Sequence, residues 1–421
     1  MLIGFEFRNF RSFLEPQNFS FSTSPGRGRG HFPGHHIDTG LKAVPHVSRA
    51  AIVVGSNAGG KTNFVSALAA MRELVLHSMN YSDTEYAEMH TPYQFGESAS
   101  QATHFKIDLL HLGVRYRYNF SYDAQRILSE TLLVYHTGKP QQWFARHYDE
   151  ASQSQVWAPF SANFGGPKET WRQSTRNNAL FLTTAGHLNA EQLLPLCSWF
   201  EHCLKVLLST DFQDLNRLAP DLQDPEFKTQ FIEFLRLVDM QVDDVRVTGS
   251  PNGERLAENI RVPSLRHLDR SKATHSRPMI EFQYALNGTA GLWLESKFEA
   301  AGLYRMLVLF KHLSAAFRND NLLVIDEFDA SLHPLVASIL IELLYETALS
   351  GRGSQMLVTS HNVALIDMDI LRREEIWLVQ RIGKGPSRLR SIDQLPQRNL
   401  KLTAKAYLSG RYNAVAVPEP G

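Results

Sequence analysis

Residues 55–62 read GSNAGGKT and follow the apolar, β-branched run Ala51-Ile52-Val53-Val54. No other stretch constrains the fold as tightly. A loop of the form G-x-x-x-x-G-K-[ST] between a strand and a helix must bend its backbone so that successive N–H groups point inward, and Gly55, Gly59 and Gly60 permit that path. In such a cradle Lys61 reaches the β- and γ-phosphates of a nucleotide, with Asn57 and Asn63 beside it. The Thr62 hydroxyl holds Mg²⁺, and the following helix turns its positive end to the anion. Residues 63–76 carry Phe64, Leu68, Met71 and Leu74 at helical spacing, which predicts that helix. The bland alternative is a glycine-rich turn that matches the pattern by chance.

A second stretch argues against chance. Residues 321–329 read NLLVIDEFD, an apolar strand ending in two acids. Open α/β sheets bind ligands beyond the C-terminal ends of buried parallel strands, so Asp326 is placed to orient Mg²⁺ and Glu327 to polarise an attacking water. Without the glycine loop, a core strand capped by solvated acids would be the better reading. A third apolar strand, in SQMLVTSHN at 354–362, ends beside His361, which is placed to hydrogen-bond a γ-phosphate. A lone histidine would carry little weight; the third strand-end motif in a series carries more.

Together with Asn9-Phe10-Arg11-Ser12-Phe13, the glycine loop, DEFDASLHP at 326–334 and TSHN at 359–362 resemble the ATP-binding-cassette branch that includes RecF, the SMC heads and the OLD proteins. Within it the chain is most similar to the abortive-infection AAA-family ATPases of bacteria, the AbiL/RloA-like group. Supporting stretches are 91–110, RYRYNFSYD after it, LRREEIWLVQ at 371–380 and YLSGRYNAV at 407–415. The likeness spans nearly the whole chain and is weakest between about 138 and 290. It implies ATP and Mg²⁺ as ligands. Gly60, Lys61 and Thr62 match the family's phosphate and metal contacts, Asp326 and Glu327 its metal-orienting and catalytic acids, and His361 its switch histidine. It also implies Gln94 as the Q-loop residue, touching nucleotide and metal, and Arg11 as a basic group near the nucleotide, against the plain alternative of an exposed edge-strand arginine.

Two departures stand out. Relatives carry a signature resembling E-S-x-G-T that offers a serine hydroxyl to the nucleotide on a partner subunit. Here residues 299–305 read EAAGLYR, with Ala300 in the serine position, unless Ser296 after Glu295 takes that role through an insertion. One lost charge-assisted hydrogen bond, worth about 1.5–3 kcal/mol, predicts slow hydrolysis or weak nucleotide-driven dimerisation. The other departure is His333, where SMC-like heads place an aspartate and where the AbiL/RloA-like and OLD proteins share the LHP form.

Charge sets the outer limit on partners. Lys+Arg and Asp+Glu number 43 each, so no global field draws in nucleic acid, and any such contact must come from local patches. The candidate patch is 371–411, rich in Arg and Lys, with a solvated charged face as the ordinary alternative. Cys197 and Cys203, six apart in an apparent helix, suit neither a redox pair nor a zinc framework and read as free thiols of a reducing cytosol. No signal peptide and no run of about 20 apolar residues is present, so a cytoplasmic protein without membrane contact is expected. His31, His35 and His36 lie in a Gly/Arg/His stretch at 24–40 that is expected to be irregular and to bind no metal.

The fold class expected is α/β: a P-loop ATPase head of the ABC type, with a mixed sheet, flanking helices, an antiparallel β lobe and a helical insertion. Residues 1–139 form the first lobe, with antiparallel strands around 105–109 and 116–120. Residues 140–290 form the insertion, read as helical over 188–237 and as a partner-docking surface, and residues 291–421 the second lobe. About sixty residues follow His361, too few for the Toprim nuclease of OLD proteins, so any nuclease or toxin is expected on another polypeptide. The expectation is therefore an ATPase that dimerises, or oligomerises further, through ATP-sandwiched heads and regulates a separate effector. Two rivals remain: a RecF-like ATP-dependent DNA-binding repair factor, and an ATP-bound scaffold that sequesters a toxin.

Overall fold

The computed structural model describes residues 1–23, 34–136, 138–212, 218–248, 279–286, 289–296, 301–330, 332–346, 353–362, 364–367, 370–381, 383 and 385–394. The chain opens with β1 (Leu2–Arg8), β2 (Gln17–Ser20), β3 (Ser22–Thr23), β4 (His36–Leu41) and β5 (Val44–Ser48). β6 (Ala50–Gly55) leads through the glycine loop into helix α1 (Lys61–His77). A run of strands follows: β7 (Thr103–His111), β8 (Val114–Tyr122), β9 (Ile127–Tyr135), β10 (Gln141–Asp149) and β11 (Ser154–Trp157). β12 (Leu204–Leu207), β13 (Asp244–Thr248), β14 (Met279–Leu286) and β15 (Thr289–Glu295) come next, then β16 (Leu322–Ile325), β17 (Gln355–Ser360), β18 (Ile376–Arg381) and β19 (Ser387–Ser391).

Two sheets flank α1. The core sheet has the order β12-β16-β17-β6-β18-β19, parallel throughout except for the β18–β19 hairpin. Every residue of β6, β16 and β17 is buried, as strands covered on both faces must be, and their continuous apolar sequences follow from that. The second sheet, β11-β10-β9-β8-β7-β1-β2, is antiparallel. Its β7 and β8 contain both expected strands. Phe64 of α1 packs on Phe7 and Phe19, and Phe19 in turn meets Trp377 of β18 at 4.8 Å, so one aromatic seam joins helix and both sheets. The buried Gln355 amide completes the join by bonding the N–H and C=O of Leu2 and the C=O of Ser48.

The chain divides into two compact units, Met1–Leu208 with Ala315–Gly421, and Ser209–Ser314. The boundaries differ from those expected at 139/140 and 290/291. The first falls between β9 and β10, which are paired neighbours in one sheet, so β10 and β11 belong with the first lobe. The helical reading of 188–237 also needs correction, because Leu204–Leu207 is a strand at the edge of the core sheet, parallel to β16. Four residues with apolar ends satisfy helical and extended spacing alike, and the partner strand decides. The second unit holds the expected helix Pro225–Leu237, started by the Asp224 carboxylate on the Glu226 N–H, and adds the antiparallel sheet β13-β14-β15. Phe227, Phe231 and Phe234 of that helix surround Phe310. Part of the stretch expected to be irregular is strand β4. His35 is buried against the Glu375 carboxylate at 3.1 Å; His31 lies outside the described residues.

Glu130 of β9 is fully buried and accepts from four donors: the Tyr118 hydroxyl, Nε of Arg146, and the N–H groups of Phe181 and Leu182, which open the helix Phe181–His187; Nη2 of Arg146 lies 2.7 Å from the same carboxylate and donates to the Ala179 carbonyl. It thus pairs the buried guanidinium of Arg146 and caps a helix that otherwise has no side-chain cap. Glu130→Ala strands that guanidinium and those donors, and should lower unfolding free energy by about 3–5 kcal/mol. Urea denaturation followed by circular dichroism checks this; an unmoved midpoint would show that the carboxylate is dispensable.

Candidate functional site

The glycine loop lies where β6 ends, between β17 and β18. Gly55 has no room for a side chain, because a Cβ there would collide with the Val379 carbonyl of β18. Gly60 starts α1 at φ 115° and faces the hydroxyls of Ser12 and Ser387, so both its backbone and its surroundings demand glycine. α1 follows from its buried row of Phe64, Leu68, Met71 and Leu74, and its N-terminus opens into a cavity of about 790 Å³. The loop residues Asn57, Gly59 and Gly60, with Lys61, Thr62 and Asn63, line one wall.

Lys61 is nearly buried. Its ammonium donates to the carbonyls of Gly55 (2.7 Å) and Ser56 (3.0 Å) and lies 3.3 Å from Nδ1 of His361. Burial lowers its pKa from 10.5 to about 8, while the carboxylates of Asp326, Asp329 and Glu327 act in the opposite direction.

The acidic pair is set by β17. Thr359 Oγ1 donates to Asp326 Oδ1 at 2.6 Å and accepts from the Glu327 N–H at 2.8 Å, and the Thr359 carbonyl accepts from Phe328 N–H. Those bonds hold Glu327 at φ 51°, a left-handed backbone that a glutamate adopts at some cost. The turn aims Glu327 into the cavity and leaves Asp326 fully buried behind it. Thr359 escaped the sequence reading although it stands in the TSHN motif; a hydroxyl ending an otherwise apolar strand was the available signal.

Glu327 and His361 follow Lys61 by about 270 and 300 residues in sequence, and the sheet brings all three to one cavity. A model of the family described as "AAA domain, putative AbiEii toxin, Type IV TA system" matches residues 50–367, three quarters of the chain. The chain belongs to this family of AAA ATPases. No curated protein matches it. Among solved structures it is similar to the SMC head domain from Thermotoga maritima, with 13% identity, 93% of this chain and 98% of that chain covered, and a TM-score of 0.42. Another is the Smc head domain with an extended coiled coil bound to the C-terminal domain of ScpA, derived from Pyrococcus furiosus, with 11% identity, 98% and 99% covered, and a TM-score of 0.41.

Two residues expected at the site of this AAA domain lie elsewhere. Gln94 is exposed, bonds the Pro92 carbonyl and does not line the cavity, because the backbone around it is tied to Asn9 through Tyr93. Arg11 donates to the Ser66 hydroxyl, one turn into α1, and lies over the Phe10 ring instead of in the cavity. Its motif is a turn: buried Asn9 bonds the carbonyls of Ser98 and Gln101, and Phe10 and Phe13 exchange backbone bonds. Glu299 and Ala300 of the signature-like segment lie outside the described residues, as do the basic residues of the tail from 395 onward.

Anions favour charged Lys61, so binding in the cavity should take up protons near pH 8. The affinity advantage of wild type over Lys61→Met for inorganic tripolyphosphate is expected to shrink as pH rises through 8, by about tenfold or more at pH 9.5, the ratio cancelling the ligand's own titration. Calorimetry on both proteins across pH 7–10 checks it; a ratio that stays level until pH 10 would mean that Lys61 keeps its ordinary pKa.

Proposed function

We propose that the chain binds and slowly hydrolyses ATP·Mg²⁺ and uses that cycle to regulate a separately encoded nuclease or toxin, in the manner of an abortive-infection, anti-phage system of the AbiL/RloA-like kind. The single observation that carries this reading is the convergence of Lys61, Glu327 and His361 on one cavity at the ends of adjacent parallel strands. The residues suit a magnesium triphosphate. Thr62 and Asp326 offer hard oxygen donors of the type that Mg²⁺ accepts beside substrate phosphates, and the bound ion supplies charge neutralisation. Lys61 exchanges the Gly55 and Ser56 carbonyls for β- and γ-phosphate oxygens. His361 hydrogen-bonds the γ-phosphate, and Glu327, fixed by Thr359, orients the attacking water and draws on its proton.

Two such heads would close head-to-tail over two ATP molecules, forming a homodimer or a larger homo-oligomer. Ala300, where relatives use serine, removes one donor and keeps turnover slow. Among the described residues no helix is long and apolar enough to cross a membrane, which is compatible with a cytoplasmic site of action.

Glu327→Gln should cut hydrolysis roughly 10²–10⁴-fold while retaining ATP. Size-exclusion in ATP should then show a lasting dimer; a monomer at every nucleotide concentration would sink the sandwich, and wild-type turnover as fast as that of transport ATPases would sink the slow cycle. Thr359→Val keeps shape but loses both hydroxyl bonds. It is expected to lower turnover about tenfold with affinity for metal-free ATP within about twofold, because it disturbs the acidic pair without touching the phosphate loop. Steady-state kinetics beside equilibrium binding separate the two effects.

A further inference from the structure

The cavity has two ends, and the proposed chemistry uses only one. Core-sheet order puts Glu327 and His361, after β16 and β17, on one side of the phosphate loop, and Arg381, the last residue of β18, on the other. With the γ-phosphate at Glu327 and His361, the remainder of a nucleotide leaves along the β18 side, beside Ser12 and Asn63.

Resting on the nucleotide reading above, we propose that Arg381 holds the nucleoside end of the bound nucleotide by laying its guanidinium plane against the base. Among the described residues no phenylalanine, tyrosine or tryptophan lines the cavity, and the planar cation of Arg381 is the stacking group they offer on that side. Its position is built. Nε donates to the Gly385 carbonyl in the β18–β19 turn at 2.8 Å, and the pair Arg381–Ser387 closes that hairpin. The hairpin is fastened to the phosphate loop: Ser387 donates through its N–H to the Ser12 carbonyl (2.7 Å) and through its hydroxyl to Ser12 Oγ, which also accepts from Asn63 Nδ2 of α1 at 2.9 Å. β18 itself pairs with β6 up to Val379 opposite Gly55, two residues before Arg381. The Arg381 backbone therefore stands at a fixed offset from the cradle, with Nε tied to the same turn. Arg11, the basic residue that sequence put near the nucleotide, is committed to Ser66. Stacking reads a flat base without reading its edge, so this contact selects nucleotides as a class over bare polyphosphate and does not separate adenine from guanine.

Binding of ATP, GTP and inorganic tripolyphosphate to the full chain, measured by calorimetry, tests the assignment. Arg381→Ala should weaken ATP and GTP alike by about tenfold and leave tripolyphosphate within about twofold of wild type. Arg381→Lys, which keeps charge without the plane, should resemble Arg381→Ala. Unchanged ATP affinity in Arg381→Ala overturns the proposal. So does an equal loss for tripolyphosphate, or recovery of ATP binding in Arg381→Lys, either of which would put the arginine on the phosphates. Failure of wild type to bind both ATP and tripolyphosphate would instead remove the nucleotide reading, and this inference with it. Arg381 is exposed, so coincident thermal unfolding of the variants separates contact loss from misfolding.

Discussion

The hydroxyl of Thr359 ties two neighbouring strand ends together, and the placing of Glu327 in the cavity depends on that tie. By donating to the Asp326 carboxylate and accepting from the Glu327 N–H, it fixes the turn after β16 relative to the end of β17, one residue before Ser360 and two before His361. A left-handed glutamate persists only where its surroundings over-determine it. Here two strands of a fully buried parallel ladder do so. In that ladder Ile325 stands opposite Val358 and Ser360 opposite Val54, so the end of β16 and the end of β17 meet beside the glycine loop.

Buried polar groups repeat this logic away from the site. Gln355 joins the first strand to the core sheet through its amide, and Glu130 joins the antiparallel sheet to a helix. Glu375 gathers His35, the Tyr345 hydroxyl and the Arg372 N–H around one buried carboxylate, whose pKa burial raises. Each is a polar group whose desolvation is offset by several partners, and loss of a single partner costs more than a surface bond would. The seam of Phe7, Phe19, Phe64 and Trp377 fills the apolar space between these ties.

Legibility in the sequence follows from locality. The glycine loop, the acids after LLVI and the histidine after MLVTS are short motifs whose roles depend on neighbouring residues, and all reach the same cavity or its buried wall. Gln94 and Arg11 follow from the family resemblance alone, and this chain's own turns hold them out of the cavity: Asn9 captures the backbone beside Gln94, and Ser66 captures the Arg11 guanidinium. Arg381 and Ser387 carried no motif, and Ser12, although it stands in NFRSF, drew no role of its own; the β18–β19 hairpin brings Arg381 and Ser387 to the loop, where Ser387 bonds Ser12.

Leu204–Leu207 shows the same limit in the fold. Its apolar spacing suited a helix and a strand equally, and only the open edge of β16 made it a strand. By itself, the sequence determined a strand–glycine loop–helix unit with a second, acidic strand end, because glycine conformations and unbroken apolar runs are local properties. Strand order, the meeting of Lys61, His361 and Arg381 around one cavity, and the grip of Thr359 on Glu327 were decided only in tertiary structure. Each joins residues from separate chain segments, and no local preference encodes which strand will lie beside which.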